Sequence, residues 1–135
     1  MIGYVTLGTN DLPRAAKFYD AIAEALGVKR MMETDTFIAW GEPGGEAAGI
    51  GITKPFDGEA ASVGNGVMVA LAADSRQQVD RIHAIALTQG GADEGAPGHR
   101  ADGDAGDMQF YAAYFRDLDG NKLNVFTYGP GEAPA

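Results

Sequence analysis

Apolar positions along the chain follow two patterns in turn, one short and strand-like, the other spaced for a helix. Tyr4-Val5-Thr6-Leu7 reads as a short strand, and the polar turn Asn10-Asp11-Leu12-Pro13 follows it. Ala15, Phe18, Tyr19, Ile22 and Leu26 then recur on one helical face. Asn10 or Asp11 can cap the free N–H groups, Pro13 falls in the first turn where its missing donor costs nothing, and Gly27 can take the left-handed conformation that stops a helix. The same order returns as Met68-Val69-Ala70-Leu71, a cap at Asp74 or Ser75, a stripe of Val79, Ile82, Ala86 and Leu87, and a stop at Gly90-Gly91. A shift of 64 residues lays Val5 on Val69, Leu7 on Leu71, Ala15 on Val79, Phe18 on Ile82 and Gly27 on Gly91. Strand material follows each helix: Thr36–Trp40 and Gly49–Thr53 after the first, Phe110–Arg116 and Lys122–Tyr128 after the second. Asp117-Leu118-Asp119-Gly120-Asn121 joins the last two as a hairpin turn.

The order β-α-β-β(-β), repeated, predicts an α+β domain with its helices on one face of each sheet. Val5, Leu7, Val69, Leu71, Leu123 and Val125 would meet the helices. Tyr4, Thr6, Met68, Ala70, Asn124 and Phe126 would point the other way. That second face has no helix to cover it, so it lines a cavity or packs on another chain. Module one is expected at about 1–63, module two at about 64–128, and a flexible tail over 129–135.

Composition narrows the partners. A chain of 135 residues supports one core, not two. Its net charge of −9 disfavours a nucleic acid, which needs clustered Lys and Arg, and the ten present are scattered. There is no cysteine, so thiolate chemistry and cysteine zinc sites are excluded. No apolar run is long enough to span a bilayer and no leader pattern opens the chain, so a soluble cytoplasmic protein without a membrane partner is expected.

Val5-Thr6-Leu7 with Asn10-Asp11-Leu12, Phe18-Tyr19-Asp20, Gly64-Asn65-Gly66, and Ala112–Asn121 with its Asp-x-Asp-Gly turn stand in a telling order. Together they resemble the glyoxalase/bleomycin-resistance/dioxygenase superfamily, the vicinal oxygen chelate proteins. The resemblance spans residues 1–128 and implies two tandem βαβββ modules on curved mixed sheets. In the metal-dependent members, side chains from the first and last strands of both modules hold one divalent ion. By position these are Tyr4, Ile50 or a neighbour, Met68 and Asn124. None is an imidazole or carboxylate, whereas zinc, nickel or iron needs about three such ligands. The expectation is therefore no metal and no cofactor.

Other candidates have plainer readings. Of the two histidines, His83 reads as a residue at the core edge of the second helix, and His99 as a loop residue beside Arg100. Asp102–Asp107 lacks the register and the final Glu of a calcium loop. Pro55-Phe56-Asp57-Gly58 reads as a turn between modules. The predicted ligand pocket is Tyr4, Thr6, Trp40, Ile50, Met68, Tyr111, Asn124 and Phe126, with Tyr114 a further aromatic candidate and Tyr4 and Asn124 as polar anchors. The function this favours is metal-independent binding of an unidentified small molecule by a homodimer. A glyoxalase I-like lyase or extradiol dioxygenase-like enzyme with atypical ligands is the alternative, and a metal-free enzyme using Tyr4 or a loop residue as acid or base is a third.

Overall fold

Each helix begins and ends where its capping chemistry allows. Asp11 stays extended and its carboxylate accepts the Arg14 N–H at 3.1 Å, opening α1 (Leu12–Leu26) with Pro13 in the first turn. Gly27, at φ 75°, closes it. The Ser75 hydroxyl accepts the Gln78 N–H at 3.1 Å and opens α2 (Arg76–Thr88). β1 (Tyr4–Gly8) precedes α1, and β2 (Lys29–Glu33), β3 (Phe37–Gly41) and β4 (Gly49–Thr53) follow it. β5 (Val69–Ala72) precedes α2, and β6 (Ala92–His99), β7 (Met108–Arg116) and β8 (Lys122–Pro130) follow. The computed structural model describes residues 1–131. The architecture is α+β, two βαβββ modules in tandem.

The two sheets share one topology. The first runs β1-β4-β3-β2 and the second β5-β8-β7-β6, and in each the first and last strands of the module pair in parallel. Neither sheet closes. The edge strands β2 and β6 are the elements that hydrophobic alternation did not reveal. β2 is exposed throughout and bulges between Arg30 and Met32. β6 shifts register after Asp93 and again after Gly95. An edge strand with both faces wet needs no apolar period. His99, expected in a loop, ends β6 instead. β8 continues to Pro130, so residues 129 and 130, expected as the start of a tail, are strand; residues 132–135 of that tail lie outside the described residues.

One core joins the modules. Ala15, Phe18, Tyr19 and Ile22 of α1 cover Leu7, Ile38, Trp40 and Ile52, while Val79, Ile82 and Ala86 of α2 cover Ala113, Phe115, Leu123 and Val125. The helices also pack on each other, and Phe18 meets Phe115 with ring centroids 6.2 Å apart. Burying each such large side chain is worth roughly 1.5–3 kcal/mol, so this seam dominates the contact between modules. The β7–β8 turn locks it. Tyr19 donates to Asp117 at 2.6 Å, Thr9 to Asp119 at 2.6 Å, and the Asn121 amide to the Gly8 carbonyl at 2.9 Å. Among the described residues, no strand of one sheet contacts a strand of the other. The uncovered faces of the two sheets therefore do not meet within one chain.

Candidate functional site

On the first sheet the uncovered face is a shallow floor. Tyr4 and Thr6 of β1 stand opposite Gly49 and Gly51 of β4, which carry no side chain there. The Phe37 ring lies over Gly51, where a Cβ would collide with it, and the Met31 sulfur lies over Gly41. Tyr4 is 67% exposed at one edge of the sheet, and Met31 and Met32 are exposed on β2 at the other.

The second sheet presents a richer face. Antiparallel pairing sets Tyr114 opposite Asn124, Ala112 opposite Phe126, and Phe110 opposite Tyr128. Phe110, Phe126 and Tyr128 form a three-ring cluster with centroids 5.1–6.0 Å apart. The Arg100 guanidinium and the Lys122 ammonium lie 5.6 and 5.8 Å from the centre of the Tyr114 ring. Arg116 pairs with Glu94 at 2.8 Å and holds that carboxyl below its usual range. Asn124 is 2% exposed, and its Oδ1 has no hydrogen-bond donor.

Four of the predicted pocket residues therefore stand on uncovered faces: Tyr4 and Thr6 on the first sheet, Asn124 and Phe126 on the second; Met68 is exposed just before β5, outside the pairing. The other three do not. Trp40 pairs with Ile50, which in turn pairs with Val5, and all three face α1. Trp40 is fully buried, its ring 5.6 Å from Tyr19 and its indole N–H donating to Asp20 at 2.8 Å. Arg30 first, then Trp40, holds the Asp20 carboxyl below its ordinary range. Tyr111 faces α2, where it donates to Asp80 at 2.6 Å under the Arg76 guanidinium. An aromatic ring does not announce which side of a sheet it occupies; pairing register decides that, and here it sends these three inward. Sequence reasoning also missed Arg100 and Lys122. The five-residue turn from Asp117 to Asn121 fixes the β7–β8 pairing, so the place of Lys122 beside Tyr114 was within reach.

The four positions that the resemblance marks for a metal do not suit one. Tyr4 is exposed on the first sheet and Met68 just before β5, Asn124 offers only an amide, and at module one's last strand Ile50 turns to the helix between two glycines. Among the described residues, no three His, Asp or Glu side chains are grouped to hold an ion. His83 is buried and bonds Asp93 at 3.0 Å, and His99 bonds Asp104 at 2.9 Å. Both lie away from the uncovered faces, as partners within the fold. An open groove of about 650 Å³ runs between the start of α1 and the β2–β3 turn, lined by Leu12, Pro13, Arg30, Glu33, Ile38 and Lys54. No helix of the described residues is long and apolar enough to cross a membrane.

The model of the Glyoxalase/Bleomycin resistance protein/Dioxygenase superfamily matches residues 1–125. A search of curated proteins returned no match. The chain is 37% identical to a glyoxalase/bleomycin resistance protein from Albidiferax ferrireducens T118, whose crystal structure superposes with a TM-score of 0.82 over 94% of this chain and 98% of that one. A hypothetical protein from S. aureus (22% identical, TM-score 0.68, 92% and 91% covered) has the same fold. So has a glyoxalase/bleomycin resistance protein/dioxygenase family enzyme from Burkholderia phytofirmans PsJN (16% identical, TM-score 0.69, 93% and 96% covered).

Proposed function

The chain belongs to the glyoxalase/bleomycin resistance protein/dioxygenase superfamily, and from that premise we propose that it binds a small organic molecule without a metal ion, in pockets closed when two copies pair. The observation that carries this reading is the character of the uncovered faces. They present Tyr4, Phe37, Phe126, Tyr128 and exposed methionines, with an amide at the centre of the second sheet, and no set of metal ligands among the described residues. Aromatic walls with a few placed polar groups are what a pocket for an organic molecule needs, whereas a divalent ion needs imidazole or carboxylate.

Pairing follows from the same faces. Each is too apolar and too exposed to stand bare, and neither meets the other within one chain. Laying the first-sheet face of one copy on the second-sheet face of its partner buries both.

Elemental analysis of protein purified without metal-affinity resin, followed by zinc titration, tests the reading. Metal well below one equivalent and no saturable zinc binding are expected. One tightly held equivalent of zinc, nickel, iron or manganese would return the chain to the metalloenzyme class, as a lyase or dioxygenase with atypical ligands.

A further inference from the structure

The chain carries nine excess negative charges, yet two of its cations share one ring on the second sheet. Glu94 bonds Arg116 and also attracts Lys122 across the sheet. Arg100 donates to the Ala96 carbonyl at 2.6 Å, and neither it nor Lys122 forms an ion pair with a carboxylate among the described residues. Two cations flank one aromatic ring, Arg100 from just after β6 and Lys122 from the start of β8, and cations so placed can receive an anion.

Directly across the strand pair is a second, independent signal. Asn124 is buried, and its Oδ1 accepts nothing. Buried polar atoms are nearly always paired, so an orphan at the middle of a central strand asks for a donor from outside the chain. Further along β8, Phe126 stacks near Phe110 at 5.6 Å. Lys122, Asn124 and Phe126 are alternate residues of one strand, so they lie in line on one face over roughly 13 Å. Charge, hydrogen-bond acceptor and ring follow one another in that order.

We propose that this face binds an aromatic carboxylate that carries a hydroxyl near its carboxyl group. Arg100 and Lys122 take the carboxylate beside Tyr114, Asn124 Oδ1 accepts from the ligand hydroxyl, and the rings of Phe126 and Phe110 take its apolar end. The proposal deepens the small-molecule reading above and rests on it. It would fail separately, because the metal analysis does not depend on which organic ligand binds.

The probes are 3-phenyllactate, its neutral amide, 3-phenylpropionate, which lacks the hydroxyl, and inorganic phosphate. Each is titrated into the whole labelled protein while the amide resonances of Tyr114, Asn124 and Phe126 are followed. 3-Phenyllactate should saturate these shifts, and the amide and the phenylpropionate should each bind about tenfold more weakly, the loss of one good polar interaction. Arg100→Met with Lys122→Met should abolish the preference for carboxylate over amide, while Lys17→Gln on α1 should leave it unchanged. Asn124→Leu should erase the preference for the hydroxyl and raise the melting temperature, since it removes a buried orphan; a purely structural Asn124 would lower it. Equal binding of acid and amide, or no saturable shift with 3-phenyllactate, overturns the proposal. So does phosphate binding as tightly as 3-phenyllactate, which would leave a bare anion site with no role for the ring or the amide. The four probes compared in the unmodified protein decide the matter even if a variant fails to fold.

Discussion

Trp40 and Asn124 illustrate how far a single residue can be read. Both carry a polar atom on a buried strand, and both were expected in the pocket. Trp40 satisfies its N–H on Asp20 of the covering helix, while Asn124 finds no partner. Trp40→Phe keeps an aromatic ring but removes the donor and part of the buried indole, so it should cost at least about 1–3 kcal/mol in urea unfolding, from a lost bond to a charged acceptor and from lost packing. Asp20 itself sets a pH dependence. Its folded value lies below the ordinary 3.8, chiefly through Arg30, so its contribution is complete above 3.8 and disappears as pH falls through the folded value. Urea midpoints followed from about pH 7 down to about pH 3 should therefore drop, and Asp20→Asn should drop less steeply. A steeper drop in the variant would reverse the sign and refute this account. What sequence left unread here is parity: Tyr4 and Asn124 were placed on the open faces by counting from Val5 and Val125, but Trp40, Ile50 and Tyr111 sit on strands whose register only the pairing reveals.

The elements with a strong period were legible, and those held by long-range contacts were not. Both helices and the strands β1, β3, β4, β5, β7 and β8 follow from spacing and caps. β2 and β6 follow from neither, because pairing to an inner neighbour is all that makes them strands. The turn from Asp117 to Asn121 shows the same limit. As sequence it is a hairpin; in the fold it is also the clasp between modules. One oxygen of Asp117 accepts the backbone N–H groups of Asp119 and Asn121, and the other accepts Tyr19 and the Asn121 amide. Burial and Asp117 together push the Tyr19 phenol well above its ordinary value, so it stays a donor at every pH the protein meets. Asp117→Ala strands buried donors on both modules and should cost about 3 kcal/mol or more. Hydrogen exchange should then quicken at Gly8–Asp11 and at the turn together. Exchange confined to the turn would mean that Asp117 serves only its own hairpin.

At the scale of the molecule, the question is where the two uncovered faces go. Within one chain they do not meet, so any site that draws on both Tyr4 and Asn124 must be shared between copies. Light scattering at tens of micromolar should accordingly give the mass of a dimer, and a monomer would refute the pairing. A mixed dimer tests its geometry. One copy carries Tyr4→His alone, and the other carries Met68→His and Asn124→Glu. If the first sheet of each copy lies on the second sheet of its partner, the mixed dimer gathers three ligands at one interface and leaves the other with none. A catalytic-type zinc site with three protein ligands and an open position should then form once per mixed dimer. Either parent homodimer offers at most two ligands per interface and should hold zinc weakly or not at all. Calorimetry is the measurement: about one zinc per mixed dimer, against none for the parents. A folded mixed dimer that binds no zinc would show that these faces do not oppose one another, and the reading of a pocket shared between copies would go with it.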